Sequence, residues 1–326
     1  MGIKLRRAIG SLVIVVALST SMTIAAKAQD TWPTKRVTIM VGFASGGFAD
    51  SVTRLIANKL ADRWKQAVIV QNLPGAGGNI AARSTSITAP DGYTLLATTT
   101  SLAINETLNK DKGFSVSSLA PVAIPVEAPE LLASNPKSGI KTLADVMKVA
   151  ADGKLYMGSS GIGSGSHISA EYFFKVLAKT DVKHIPFSGG NPAKLALMTG
   201  DVNLMASTSS VMSSILNGEL AGIAVGSAKR TLLLPQVPTY EEQGYQGFTP
   251  SSWTGIFAPA GAPTAVLEFI NTSINEVLQD PEIGVQFTKM GLVSKSLTRA
   301  DALQFFTSEV ERWGKMVKAI GLQGVQ

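Results

Sequence analysis

Two glycine-rich turns contain the residues whose types and spacing suit the binding of an anion. The first is FASGGFAD at Phe43–Asp50, and the second is SSGIGSGS at Ser159–Ser166. Glycines let successive backbone N–H groups point at one place, and a helix that follows adds free N–H groups and a positive dipole end. Ser45 adds a hydroxyl, and Asp50 can cap the following helix. Ordinary strand-to-helix turns explain the same residues, so the pattern leaves both interpretations open.

No pattern for covalent or metal chemistry accompanies these turns. Having no Cys and 2 His excludes a thiol nucleophile and Cys-ligated zinc, and it leaves few ligands for a His-based metal site. The phosphate-loop motif and the G-x-S-x-G elbow are absent, and Ser166 replaces the third glycine of the dinucleotide fingerprint. His167 can bind a carboxylate, act as a general base or simply pack, and His184 is predicted to be structural. We therefore predict no metal, no cofactor and no enzymatic activity.

The elements that must position these turns alternate between strand and helix. Arg36–Phe43 is rich in β-branched residues and predicts a buried strand, which leads through the first turn into a helix from about Asp50 to Trp64. Leu155–Gly158 and a helix over about His167–Leu177 repeat this order around the second turn. The alternation predicts a mostly parallel sheet, and its repetition predicts two lobes that each present one helix N-terminus.

Two extended stretches, 121–134 and 249–259, suit crossings of the chain between the lobes. The predicted division is 29–127 plus 250–326 for lobe 1 and 128–249 for lobe 2. The C-terminal region has the clearest helical pattern, because its apolar residues repeat every three or four positions. Thr298 can cap the start of this helix and Gly321 can end it.

Residues 1–28 have the features of a secretory signal peptide. A basic start is followed by an apolar run and by the small-x-small site Ala26-Lys27-Ala28, which predicts export to the periplasm with cleavage after Ala28. An uncleaved membrane anchor is the alternative. The net charge of +6 comes largely from four basic residues in this leader. A nearly neutral body with 6% aromatic residues gives no basis for nucleic-acid binding.

Several longer motifs follow one another in a family-specific order. They are FASGGFAD at 43–50, NLPGAGGNIAA at 72–82, APDGYTLL at 89–96, SSGIGSGSH at 159–167, HIPFSGGNPA at 184–193, LPQVPTYEEQG at 234–244 and WTGIFAPAGAP at 253–263. Each is weak alone, but the set is specific. From about Trp32 to its C-terminus the chain resembles the tripartite tricarboxylate transporter receptors, also called the Bug family of periplasmic solute-binding proteins.

The resemblance implies an α/β fold of the type II periplasmic-binding-protein kind, with two lobes joined by two crossover strands. It implies a receptor that binds a small organic carboxylate in the cleft between the lobes and delivers it to membrane transporter subunits. We predict that this receptor is a monomer. The ligand-binding residues carried over to this sequence are Phe43, Ala44, Ser45, Gly46, Gly47, Asp50, Ser159, Ser160, Gly161, Gly163, Ser164, His167, Ser188 and Gly189.

Two positions depart from the family pattern. Ser45 stands where many members have Pro, which adds a hydrogen-bond donor. Ser207, which we add to the ligand-binding set, follows a strand after which many members carry Asp. Without that carboxylate, simple carboxylates are favoured over amino acids as ligands. We expect Asp50 to organise the first turn rather than contact a cationic ligand, and therefore expect Asp50→Asn to have a mild effect.

Two other functions stay open at the level of sequence. A binding site of the same kind can serve a partner of a membrane sensor kinase, and no residue pattern separates sensing from transport. An exported enzyme is a third possibility, but it needs a nucleophile or a metal site that the sequence does not offer.

Overall fold

The computed structural model describes residues 32–325, so the predicted signal peptide and its cleavage site after Ala28 lie outside the described residues. The α/β body begins at Arg36. It contains eleven strands and ten α-helices. The strands are β1 (Val37–Val41), β2 (Val68–Asn72), β3 (Thr94–Thr99), β4 (Leu119–Pro129), β5 (Leu131–Ser134), β6 (Tyr156–Ser159), β7 (Lys183–Pro186), β8 (Leu204–Ser207), β9 (Ala221–Val225), β10 (Ser251–Pro259) and β11 (Val293–Ser294). The helices are α1 (Phe48–Trp64), α2 (Asn79–Ser86), α3 (Ser101–Leu108), α4 (Leu143–Ala151), α5 (Gly165–Tyr172), α6 (Gly190–Thr199), α7 (Met212–Leu216), α8 (Thr264–Leu278), α9 (Pro281–Lys289) and α10 (Arg299–Ala319).

The strands form two mixed sheets, with the orders β11-β4-β10-β3-β1-β2 and β7-β6-β8-β5-β9. β1 pairs in parallel with β2 and β3, and β6 pairs in parallel with β7 and β8. In contrast, β10 is antiparallel to β3 and β4, and β5 is antiparallel to β8 and β9. The prediction of a mostly parallel sheet was therefore wrong. Strands that enter a sheet from the other half of the molecule lack the βα crossover that makes neighbours parallel.

The chain passes between the sheets twice, and the two passages meet. Only Glu130 separates β4 of the first sheet from β5 of the second, and the segment 226–250 leads from β9 back to β10. The backbone N–H of Glu130 donates to Pro250 O at 2.9 Å, and the N–H of Gly226 donates to Glu130 O at 2.7 Å. The lobe boundaries at 127/128 and 249/250 stay a prediction.

Each sheet has its own apolar core, and α5 contacts both. The first core contains Trp253 of β10 and Trp313 of α10, and Ile168 of α5 packs into it. The second core contains Phe173 and Phe174, in a π-helical turn at Phe173–Leu177 that directly continues α5. The helix predicted over about His167–Leu177 therefore starts two residues earlier, at Gly165, and its last five residues are π-helical rather than α-helical. Burial of these apolar side chains holds α5 firmly between the sheets.

The C-terminal helix agrees with its predicted pattern. α10 runs over Arg299–Ala319, and the Thr298 hydroxyl accepts a hydrogen bond from Asp301 N at 3.1 Å as its N-cap. Gly321 follows its end with a φ of 76°, a conformation in which glycine avoids the strain of a side chain. Among residues 32–325, none of the helices has both the length and the apolar character to cross a bilayer.

Candidate ligand-binding cleft

A cleft of about 620 Å³ opens where loops from the two sheets face each other. Its walls come from the first turn with the start of α1, the second turn with the start of α5, and the segments 188–192 and 207–210. Glu130 and Ser252 of the chain crossings also line it. The volume suits a small organic molecule, because ligand sites of this kind occupy a few hundred cubic ångströms.

The first turn presents backbone to the cleft. Gly46 has a φ of 76°, which favours glycine, whereas Gly47 is extended with a φ of −78°. Gly47 is the N-cap of α1 and provides no side-chain cap, so the first N–H groups of this helix stay available to an anion. Phe43–Ala49 line the cleft, and the turn therefore offers neutral donors to a carboxylate.

Asp50 lies behind this turn and holds it. It is 2% exposed and outside the cleft lining. Its carboxylate accepts hydrogen bonds from Gly46 N at 2.8 Å, Asn72 Nδ2 at 2.8 Å and Arg54 Nε at 3.0 Å. Burial raises the pKa of Asp50, but the bonds from Arg54, Gly46 and Asn72 outweigh burial and hold the pKa below its ordinary value. Asp50 therefore organises the turn. It occupies the N3 position of α1, whereas Gly47 occupies the N-cap position.

Asp50→Asn is now expected to be harmful rather than mild. An amide has only one acceptor oxygen. The NH₂ group of the new amide would therefore face N–H donors from which the second carboxylate oxygen of Asp50 now accepts hydrogen bonds. We expect a loss of about 2–3 kcal/mol in the free energy of unfolding and at least tenfold weaker binding of any ligand held by the first turn. Chemical denaturation and calorimetry measure both. The control is Asp62→Asn, since Asp62 is exposed on the same helix. Equal behaviour of the two variants would contradict the organising role.

The second turn uses most of its own donors. Ser164 is the N-cap of α5, where its hydroxyl accepts from His167 N at 3.2 Å and donates to Gly161 O at 2.7 Å. Gly163 N donates to His167 Nδ1 at 3.2 Å. Ser160, Ser164 and Gly165 line the cleft, but the start of α5 is already capped by protein groups. The second turn is therefore a weaker anion site than the first.

The two histidines stack behind the second turn, with ring centroids 4.1 Å apart. His184 Nε2 lies 2.7 Å from Ser159 Oγ. Burial lowers the pKa of His167 to about 3, helped by His184, and burial lowers the pKa of His184 to about 4, helped by Lys175. Both rings are neutral at pH 7. Since neither ring lines the cleft, His167 supports the turn and is not placed to act as a general base on a ligand there.

His167, Glu171 and His184 bring three possible metal ligands within 4.8 Å of one another. Their geometry does not suit a metal ion. Stacked rings only 25° from parallel aim their in-plane lone pairs side by side rather than at one point. His167 Nδ1 accepts a backbone N–H, and Glu171 pairs with Lys175 at 2.6 Å. These groups serve the protein's own structure, and the absence of a metal stays a prediction.

The start of α6 also opens into the cleft, which the sequence pattern did not emphasise. Gly189, with a φ of 151°, is the N-cap of α6 and adds no side-chain cap. Ser188, Gly189 and Gly190 line the cleft, and so does Ser207. The starts of α1 and α6 carry no side-chain cap, so both can offer backbone N–H groups to an anion in the cleft, although Pro192 at N3 of α6 has none. The start of α3 at Ser101 also lines the cleft, but Ser101 N already donates to Thr99 Oγ1 at 3.3 Å.

Glu130 is the main cleft residue that sequence reasoning missed. It is 2% exposed and lines the cleft together with Ser252, whose hydroxyl donates to Glu130 Oε1 at 2.5 Å. Burial raises the pKa of Glu130 to about 7, against the opposing effects of Ser252 and Arg312. The sequence did contain a signal, namely an acid inside an apolar stretch that was predicted to cross between the lobes. Acidic side chains are almost never fully buried unless they are paired.

Ten of the fifteen predicted ligand-binding residues line the cleft. They are Phe43, Ala44, Ser45, Gly46, Gly47, Ser160, Ser164, Ser188, Gly189 and Ser207. The other five lie behind the lining. They are Asp50, Ser159, Gly161, Gly163 and His167. Ligand contact by the first group stays a prediction, and the second group supports the turns through the hydrogen bonds described above.

Comparisons with known proteins agree with this architecture. A family model described as the tripartite tricarboxylate transporter family receptor matches residues 52–322. The solved structure of the periplasmic binding protein BugD has a TM-score of 0.83 and 27% identity, and the match covers 90% of this chain and 99% of that one. The predicted two-lobed α/β fold is thereby confirmed.

Two solved structures of similar proteins contain dicarboxylates. Rpa4515 of R. palustris, solved with adipate, has a TM-score of 0.84 and 30% identity, over 89% of this chain and 98% of that one. MatC from Rhodopseudomonas palustris, solved with bound malate, has a TM-score of 0.82 and 29% identity, over 88% and 100% of the two chains.

Proposed function

The chain belongs to the tripartite tricarboxylate transporter receptor family, the Bug proteins, which are periplasmic solute receptors, and on this premise we propose that it captures a small dicarboxylate in the cleft. The single observation that carries the proposal is the pair of uncapped helix starts, at Gly47 and Gly189, that line one cleft. Two carboxylates need two such positions. Adipate in Rpa4515 and malate in MatC support the same ligand class.

Neutral donors fit a receptor that must release what it binds. Backbone N–H groups and serine hydroxyls stabilise an anion without the desolvation penalty of a buried Arg or Lys. The charged side chains Lys194 and Lys289 line the cleft from half-buried and exposed positions, where they attract an anion at long range. Closure of the two halves around the crossings near Glu130 would bury the bound acid.

The proposed role is delivery of the closed, loaded form to a membrane transporter built from other chains, by a monomeric receptor without catalytic activity. The second candidate is presentation of the same form to a membrane sensor kinase. The binding step is shared, and the family membership favours transport.

A thermal-shift panel tests the capture step. The exported protein, purified after secretion, is melted in the presence of dicarboxylates from three to eight carbons, matched monocarboxylates and tricarballylate. A ligand at 100 times its dissociation constant adds about 2.7 kcal/mol to the native state, so the best dicarboxylate should raise the melting temperature by several degrees. Monocarboxylates of equal length are the controls, because they can occupy only one helix start. No shift with any acid would overturn the proposed function.

A further inference from the structure

Hydroxyl groups make up an unusual share of the cleft lining. Small-molecule sites are lined mainly by apolar and aromatic side chains, with a few polar groups among them. Here 14 of the 30 lining residues are Ser or Thr. The two carboxylates of a ligand only accept hydrogen bonds, and the helix starts already supply N–H donors for them. The hydroxyls therefore need another explanation.

Part of this lining serves the protein's own structure. Ser164 caps α5, and the Ser252 hydroxyl donates to Glu130. The hydroxyls of Ser207 and Ser210 are bonded to each other. These groups already have partners and are not free to choose a ligand.

Three half-buried hydroxyls of the lining are free. Ser160, Thr208 and Ser209 make no side-chain hydrogen bond to any of the residues 32–325, and their hydroxyl oxygens keep accessible surface. Ser160 follows β6, and the other two follow β8. Because β6 and β8 are parallel neighbours, their carboxyl ends lie at the same edge of the sheet. The three hydroxyls therefore belong to one wall of the cleft.

This wall continues from one of the proposed carboxylate positions. A Cβ on Gly190, the first residue of α6, would lie 3.6 Å from Ser160 Oγ. A ligand whose carboxylate binds at the start of α6 thus has its carbon chain beside the free hydroxyls. The groups on that chain decide whether the hydroxyls find partners.

Closure of the cleft makes this pairing matter. A half-buried hydroxyl binds water while the cleft is open, and it loses that water when the two halves close around a ligand. A polar group that is buried without a partner is unfavourable. A methylene group neither donates nor accepts, whereas a hydroxyl on the ligand does both, as the side-chain hydroxyls do. A hydroxylated chain therefore replaces the lost water, and a bare chain does not.

We propose that the receptor selects dicarboxylates whose carbon chain carries several hydroxyl groups, as sugar diacids do, and that Ser160, Thr208 and Ser209 are its specificity-determining residues. The inference rests on the proposed function, because it places the two carboxylates at the starts of α1 and α6. It narrows the ligand class by the groups that lie between the two acids. Such a site discriminates strongly, since a ligand without the hydroxyls leaves its polar groups unpaired.

Pairs of acids with equal chain length test the inference. Calorimetry at pH 7 compares succinate with the three stereoisomers of tartrate, glutarate with xylarate, and adipate with galactarate and glucarate. At the length that fits, the best hydroxylated acid should bind at least about thirtyfold more tightly than the bare acid, which corresponds to two hydrogen bonds. If four carbons fit, malate with its single hydroxyl should lie between succinate and tartrate.

The double variant Thr208→Val with Ser209→Ala removes two of the three hydroxyls with little change of shape. Its preference for the hydroxylated acid should fall to about fivefold or less. The control is Thr180→Val. Thr180 is also half-buried without a side-chain hydrogen bond among the described residues, but it lies outside the cleft lining, so this variant should keep the wild-type preference.

The outcomes separate the inference from the proposed function. Equal binding of bare and hydroxylated acids at every length would overturn the inference, and so would a preference that the double variant leaves unchanged. Both results leave the proposed function standing. If none of these acids binds, the proposed function itself fails. The comparison of acids on the wild-type protein applies whether or not the double variant folds.

Discussion

Glu309→Ala is expected to lower the free energy of unfolding by about 3–5 kcal/mol. Glu309 on α10 is 6% exposed, and its Oε2 accepts from the indole Nε1 of both Trp253 and Trp313 at 2.8 Å. Its Oε1 accepts from Arg312 Nε at 2.8 Å. Removing the carboxylate leaves two indole donors buried in the first core without an acceptor. Urea unfolding at pH 7 measures the loss.

The same substitution should weaken ligand binding from a distance. Trp253 directly follows Ser252 in the chain, and the backbone N–H of Trp253 donates to Thr100 Oγ1 at 3.0 Å. A shift of the Trp253 indole should therefore also move the Ser252 hydroxyl, which donates to Glu130. The control is Glu311→Ala, an exposed acid on the same helix, which should change stability by less than about 0.5 kcal/mol. Glu309→Gln keeps one acceptor oxygen and should fold if the alanine variant does not. An alanine variant as stable as the Glu311 control would disprove this anchoring role.

Stability between pH 5 and pH 6 is expected to depend on two opposing sets of groups. The unfolded chain protonates His167 and His184, whose ordinary pKa is 6.5, and ionises Glu130, whose ordinary pKa is 4.5. The native state does the reverse, because burial lowers the pKa of His167 to about 3 and of His184 to about 4 and raises the pKa of Glu130 to about 7. The unfolded state therefore holds up to one more proton.

The sign of the pH dependence follows from this difference in bound protons. Stability falls as pH drops wherever the unfolded state binds more protons, by about 1.4 kcal/mol per pH unit for each proton. The wild type should therefore lose up to about 1.4 kcal/mol from pH 6 to pH 5. Solvent screening at the half-buried His184 makes its share smaller than that of His167.

Two variants separate the opposing groups. Glu130→Gln removes the compensating acid, so its stability should fall more steeply than that of the wild type, by about 1.4 kcal/mol more per pH unit. The double variant His167→Asn with His184→Gln removes both bases, and its stability should instead rise as pH falls from 7 to 5. Asn Oδ1 can still accept from Gly163 N, and the Gln amide can still reach Ser159. Denaturation curves at each pH measure the slopes. Three parallel slopes would show that these groups do not control the pH dependence.

Local patterns predicted individual elements better than they predicted how those elements combine. The helix after the first turn and the C-terminal helix follow from apolar periodicity and from caps such as Thr298. The sheets were mispredicted as mostly parallel, because the direction of β5 and β10 depends on chain crossings between distant segments. Local periodicity contains no information about which strand becomes a neighbour.

The site shows the same division. The pair Gly46-Gly47 could be assigned to a turn before a helix, but only the structure shows that Gly46 takes the left-handed conformation, with a φ of 76°, while Gly47 is extended. Asp50 could be singled out as an organiser, but its partner Asn72 lies on β2 and becomes a neighbour only in the folded sheet. Sequence spacing likewise gave no reason to place the rings of His167 and His184 in contact.

The sequence by itself determined the family, the alternation of strand and helix and the glycine turns, because each depends on residues close together in the chain. Only the tertiary structure decided that the starts of α1 and α6, which carry no side-chain cap, line the same cleft. It also decided that the buried Glu130 lines the cleft beside Ser252. Burial and the proximity of residues over 100 positions apart, such as Glu130 and Ser252, arise only when the chain crosses twice between the sheets.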